Sequence, residues 1–282
     1  FEMSVEGLKL TTNNSWEERV LSHWNVSEKA ALKILDDFAE SRILAYSVDR
    51  DFPSIEGTSK LSSYLHFGQI SPHLVWRKSI QQGAPYCRQL IWREFAMYLY
   101  VKFPKLKSKP LNPVFEHFQY ESNHEKLLAW QKGLTGYPIV DAGMRQLYAT
   151  GWMHNRVRMI VGSFLVKDLI LDWREGLKWF NDTLVDADES NNIFGWQWIA
   201  GCGADAAPYF RIFNPLLQSK KFDSKGKYIK KWIPELSHCD EKTVHEPWVY
   251  GENKEYPIPI VNHKLAKDKA MLVFNKLKEV SL

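Results

Sequence analysis

The chain has 282 residues, of which 45% are hydrophobic and 25% charged, and its formal net charge is +4. This composition excludes a disordered or collagen-like chain, and no apolar run approaches the roughly 20 residues that span a bilayer. The mild positive charge is compatible with a nucleic-acid partner without requiring one.

The opening stretch, Phe1 to Leu10, lacks the basic and long apolar regions of a secretory leader, and the absence of an initiator Met fits a start inside a longer protein. Residues 1–25 read as a lead-in, and residues 26–282 as one helical unit. Ser27 is placed to cap a helix over Glu28–Tyr46 with Ala31, Ile34, Leu35 and Phe38 as its apolar stripe. Further helices are predicted over Gln89–Val101, Val140–Ala149, Arg156–Leu171, Glu175–Leu184 and His263–Val280, with a turn at Gly151. Pro53, Pro72, Pro110, Pro113, Pro138, Pro208 and Pro215 mark loops between them. Strand signals are sparse and no βαβ series with a Gly-rich phosphate turn occurs, so the predicted fold class is all-α. Cys87, Cys202 and Cys239 are far apart with no CxxC pair, which suits a reducing compartment, a bacterial-type cytoplasm or a nucleus. No metal site is expected.

Four stretches carry candidate chemistry. In Glu56–Ser62, Gly57 allows an unusual backbone angle, and Thr58, Ser59 and Ser62 offer hydroxyls beside a helix start. Such a place suits a pyrophosphate, or equally a plain helix cap with spare hydroxyls. Leu90–Phe95 reads by itself as an amphipathic helix with a core Trp92. In Gly151–Met159, the spacing puts Asn155, Arg158 and Met159 on one helix side, facing a ligand or forming an ion pair beside a core Met. The fourth stretch holds Asp186 and Asp188, Asn191 and Asn192, then Trp196 and Trp198, and finally Asp205 through Pro215. Its two carboxylates suit arginine pairing or a sugar or flavin edge better than a hard metal ion. Trp196 and Trp198, at i and i+2, must serve different neighbours.

The order and wording of EGTSKLS, LIWREF, TGYPIVDAGMRQL, TGWMHNRVRM, NNxxGWQW and APYFRIFNP resemble the photolyase/cryptochrome family, from about Leu44 to His263. The resemblance is to bacterial-type cyclobutane pyrimidine dimer photolyases in particular. It implies a helical FAD-binding and DNA-binding catalytic domain that holds FAD in a bent form. Tyr46, Thr58, Ser59, Lys60, Leu61 and Ser62 would line the phosphate and ribityl side. Asn155, Arg158, Asp186, Ala187, Asp188 and Asn192 would surround the flavin, with Asn192 facing its N5. The implied reaction is light-driven electron transfer from reduced FAD to a pyrimidine dimer flipped out of UV-damaged DNA. Trp92, Trp198 and Met159 would hold the lesion, with Arg50, Gln89, Arg93, Asn155, Arg156 and Gln218 around it. Lys220, Lys221, Lys225, Lys227, Lys230 and Lys231 extend a basic surface or form an ordinary solvated face. His154 is expected to be structural.

Three features depart from that family's usual pattern. Trp196 and Trp173 match the inner members of a tryptophan photoreduction chain, whose distal place falls on Tyr120, with Trp130 as a neighbouring substitute. Gln89 stands where dimer photolyases commonly carry Glu, and an amide cannot supply a proton. Finally, the family's amino-terminal antenna domain is not found in this chain, which fits either a fragment or a naturally short protein, and no antenna chromophore is inferable. A monomer is expected. A cryptochrome-like blue-light receptor or a (6-4) photolyase is the alternative.

Overall fold

Helices dominate the computed structural model, which describes residues 14–205, 210–251 and 255–280. The first six are α1 (Ser15–Leu21), α2 (Glu28–Ser41), α3 (Tyr46–Asp49), α4 (Ser62–His66), α5 (Pro72–Ser79) and α6 (Ala84–Lys102). Next come α7 (His124–Gln131), α8 (Pro138–Thr150), α9 (Asn155–Ser163), α10 (Trp173–Thr183) and α11 (Glu189–Ala200). The remaining four are α12 (Pro215–Phe222), α13 (Lys227–Trp232), α14 (Pro247–Tyr250) and α15 (His263–Val280). Among the described residues the β-structure is one isolated bridge between Glu121 and Leu171. No helix among them is long and apolar enough to cross a membrane. The all-α expectation holds.

Several boundaries differ from the expected ones, each for a local reason. Ser27 does cap α2, accepting from Ala30 N at 3.1 Å, but the helix stops at Ser41. There the chain turns so that Ile43 enters the core, and it resumes as α3. The segment expected as one helix over Arg156–Leu171 is α9 followed by a wide π-helical turn, Phe164–Asp168, and it ends where Ile170 takes a φ of +55°. Pro72, Pro138 and Pro215 lie in the first turns of α5, α8 and α12, where a missing N–H costs nothing. Pro208 and the rest of Ala206–Tyr209 lie outside the described residues, as do the first thirteen residues of the lead-in. The remainder of that lead-in contains α1, and Trp16 and Trp24 donate their indole N–H groups to the carbonyls of Tyr148 and Thr150 in α8.

Two buried clusters organise the packing. Ala31, Leu35, Phe38, Tyr46, Leu61 and Val75 belong to a smaller one built by α2 to α6. A larger one gathers Trp130, Met144, Phe164, Trp173, Trp196 and Ile229 from the later helices. α6 belongs to both, giving Tyr86 and Leu90 to the first and Leu99 to the second. The stretch TGYPIVDAGMRQL is structural at its start. There the fully buried Asp141 accepts from Thr135 N and Oγ1, Gly136 N and the Tyr256 hydroxyl, so a turn is fastened to the first turn of α8.

Candidate functional site

A cavity of about 460 Å³ opens where α6, α9, α10 and α11 meet. α6 contributes Gln89, Trp92 and Arg93, and α9 contributes Asn155, Arg158 and Met159. The i, i+3, i+4 spacing of these last three does put them on one side, as the helix period demands. Asp186 and Ala187 enter from the loop before α11, and Asn192, Trp196 and Trp198 from α11 itself.

The charged element of the site is the pair Arg158 and Asp186. Nη2 of Arg158 donates to both carboxylate oxygens at 3.0 and 2.8 Å, and its Nε donates to Met153 O at 2.8 Å. The Asp186 side chain is only 3% exposed, so removing Arg158 leaves a buried carboxylate without its counter-charge. Ser62 Oγ also donates to Asp186 at 2.6 Å, which brings the Glu56–Ser62 stretch to the edge of the cavity. Within that stretch, Lys60 rather than Gly57 takes a positive φ, of +56°. Gly57 is needed for close approach, because a Cβ there would lie 2.5 Å from Asp49 O. Ser59 turns inward to pair with the Tyr86 hydroxyl at 2.9 Å, and Leu61 is buried.

Other expected site residues occupy different positions. Tyr46 lies within the smaller cluster, edge-on to Phe38 and Tyr86, with the Arg50 guanidinium 5.1 Å from its ring. Arg50 also donates to Gln89 Oε1 at 3.4 Å, while Gln89 Nε2 donates to Pro85 O. Arg156 is pinned between Asp51, at 2.6 Å, and the Phe222 ring, at 4.3 Å. Asp188 caps α11. Burial would raise its pKa, but hydrogen bonds from Ser190 and Asn191 and the charge of Arg93 hold the carboxyl below its usual range. His154 caps α9, and burial, with Arg156 and Arg158 nearby, pushes its pKa down to about 4. Gln218 and Thr58 are half-buried and do not line the cavity. Lys221, Lys225, Lys227 and Lys231 are exposed, Lys230 is half-buried, and the exposed Lys220 pairs with Glu246 at 2.6 Å.

The two tryptophans of α11 do serve different neighbours while lining the same cavity. Trp196 packs against Phe180 at 5.0 Å and Trp130 at 6.2 Å, whereas Trp198 donates from Nε1 to Asp205 O at 2.9 Å. A Cβ on Gly176 would overlap the Trp196 indole, so this glycine lets α10 and α11 close on the ring. Trp173 is buried at the start of α10 and Tyr120 sits half-buried beside Phe118; neither lines the cavity. Burial drives the Tyr120 phenol far above its ordinary pKa.

Sequence reasoning missed Phe180, Leu184, Phe194 and Ile199 as walls, and Asn181, which accepts from Asn192 Nδ2 at 2.6 Å. Phe194 lies inside the quoted NNxxGWQW stretch and was within reach. Asn181 carries no local signal at all.

A planar polycyclic ligand with a polar edge fits this cavity. The volume is in the range of cofactor pockets. Aromatic and apolar walls face amides and one ion pair, a Cβ on Gly195 would meet nothing, and Trp196 Nε1 is buried without a hydrogen-bond partner. Among the described residues no group of His, Cys, Asp and Glu could hold a metal ion.

Residues 86–276 match the family profile described as the FAD-binding domain of DNA photolyase. The chain is 43% identical over 290 residues to the deoxyribodipyrimidine photo-lyase of Agrobacterium fabrum, covering 96% of this chain and 60% of that protein. Its fold is similar to a class III photolyase from Agrobacterium tumefaciens, with a TM-score of 0.92 at 43% identity, over 98% of this chain and 61% of that one. A cryptochrome from Synechocystis superposes with a TM-score of 0.86 at 29% identity, over 94% and 59% of the two chains. The chain therefore spans about three-fifths of the length of these relatives.

Proposed function

The chain belongs to the family of FAD-binding domains of DNA photolyases, and from that premise we propose that it carries out light-driven repair of cyclobutane pyrimidine dimers in UV-damaged DNA. One observation supports this most directly. The Arg158–Asp186 pair and Asn192, suited to a flavin edge, share a cavity with Trp92, Trp198 and Met159, suited to a flipped-out pyrimidine dimer. Reduced FAD, when bound, supplies the electron that light transfers to the dimer.

The protein's own residues bind, orient and exclude water. Arg158 and Asp186, joined by Ser62, would hold one end of the flavin ring system, and Asn155, Ala187 and Asn192 would complete its polar border. Lys60, Leu61, Thr58 and Ser59 form the loop beside the phosphate and ribityl portion. Asp188 contributes by fixing the start of α11, and Tyr46 by bracing Arg50. Gln89, held by Arg50 and Pro85, offers an oriented amide to the lesion that neither ionises nor donates an acidic proton. Arg93, at the cavity wall, and Gln218, outside it, would contact the DNA, and Arg156 would reach it only by exchanging its Asp51 partner. Trp196, which lines the cavity, would be the inner relay residue of a photoreduction chain, with Trp173 and Tyr120 as its further members, and Trp130 is in ring contact with Trp196. The protein acts as a monomer on DNA, in a compartment that keeps its three buried cysteines reduced.

The decisive assay is anaerobic repair of a thymine-dimer oligonucleotide under near-UV or blue light, with pre-reduced protein and a dark control. Light-dependent recovery of intact thymines is expected. Flavin-loaded protein that photoreduces without repairing would shift the assignment to a blue-light receptor or a (6-4) enzyme. The similarity to a cryptochrome and the amide at Gln89 are what favour that second reading.

A further inference from the structure

An amide pair at the cavity wall has a consequence beyond binding. Asn192 lines the cavity, and its Nδ2 donates to Oδ1 of Asn181 at 2.6 Å. Asn181 follows the wall residue Phe180 on α10, so the bond links α10 to α11 across their packed interface. Asn181 itself is exposed and belongs to neither core.

A primary amide has a donor end and an acceptor end. With Nδ2 held by Asn181, the carbonyl of Asn192 is the end left for an occupant. If both amides turn over, Asn181 Nδ2 donates to Asn192 Oδ1, and the N–H end of Asn192 faces the cavity instead. The bond survives in both arrangements because the partner is also an amide. A ring nitrogen that gains a proton on reduction changes from acceptor to donor, and flavin N5 is such an atom. Resting on the reading that the cavity holds FAD with Asn192 at N5, we infer that Asn181 is a positioning residue that selects which end of the Asn192 amide meets the flavin. Its ability to turn lets the pair follow the protonation of N5.

Replacement tests this through polarity. Asp at this position only accepts, so it commits Asn192 to presenting its carbonyl, which favours N5–H. Leu holds neither end. The protein is loaded with FAD, reduced by one electron at a fixed pH, and read by absorbance, blue when N5 is protonated and red when it is not. Asn181→Asp raises the blue-to-red ratio about tenfold, the weight of one ordinary hydrogen bond. Asn181→Leu produces a smaller change. In an Asn192→Ala background the Asp substitution loses its effect, which separates action through Asn192 from the field of a new carboxylate. An unchanged ratio in Asn181→Asp, an equal rise in Asn181→Leu, or a rise that persists without Asn192, overturns the proposal while FAD binding stands. An unaltered protein that takes up no FAD overturns the reading beneath it and this inference together. Asp and Leu match Asn in size at an exposed position, so both variants keep the fold.

Discussion

The indole of Trp198 is held by a hydrogen bond to the carbonyl of Asp205, a residue whose φ of +54° few side chains tolerate. Its ring is thus fixed before any substrate arrives. Trp198→Ala is expected to weaken binding of dimer-containing DNA by about 1–3 kcal/mol, measured in competition with intact DNA. Unchanged discrimination would remove Trp198 from the lesion site. At this scale, residues one helical turn apart were legible in the sequence. Asn155, Arg158 and Met159 reach the same cavity because helix geometry alone puts them there. Arg156 was not legible in the same way, since its Asp51 partner lies 105 positions away and turns a candidate DNA contact into an internal ion pair. Asn181 illustrates the same limit, as its importance arises only when α10 lies against α11.

In the π-helical turn after α9, Lys167 is 1% exposed, with its ammonium 3.3 Å from the Phe210 ring centre and one long bond, 3.5 Å, to Arg211 O. Burial lowers its pKa to about 7, opposed in part by the Cys202 thiol. The unfolded chain holds this proton more tightly, so the lysine destabilises the fold fully below about pH 7 and progressively less up to its ordinary 10.5. Lys167→Met is expected to raise stability at about pH 6 by about 1–4 kcal/mol, with the gain shrinking toward about pH 10. Urea unfolding at both pH values checks this, and a gain independent of pH would refute the assigned cause. Helix existence was legible from apolar periodicity, but the π-helical turn was not. Its last residue, Asp168, pairs with His263 Nδ1 at 2.5 Å, a contact from the far end of the chain that no local pattern announces.

Across the whole molecule, α6 runs through both buried clusters, and the cavity it helps to line takes its apolar walls from the larger one. A ligand seated there binds only the folded chain, so FAD at 100 times its Kd should add about 2.7 kcal/mol and raise the unfolding midpoint by roughly 5–10 °C. Differential scanning calorimetry with and without cofactor tests this, and an unmoved midpoint would refute binding of FAD to the folded chain alone. The fold class was legible because helical patterns recur with almost no strand signal. The division into two clusters was hidden, since Leu90 and Leu99 belong to one continuous helix and only its packing assigns them to different clusters. Gly176 shows how far the cavity's shape depends on what is absent. Every single-base change in a glycine codon that yields another amino acid adds a Cβ, and at this position that carbon strikes Trp196. Mutational drift is thereby closed off at a residue with no chemistry of its own, and the innermost wall of the cavity is inherited through a hydrogen atom.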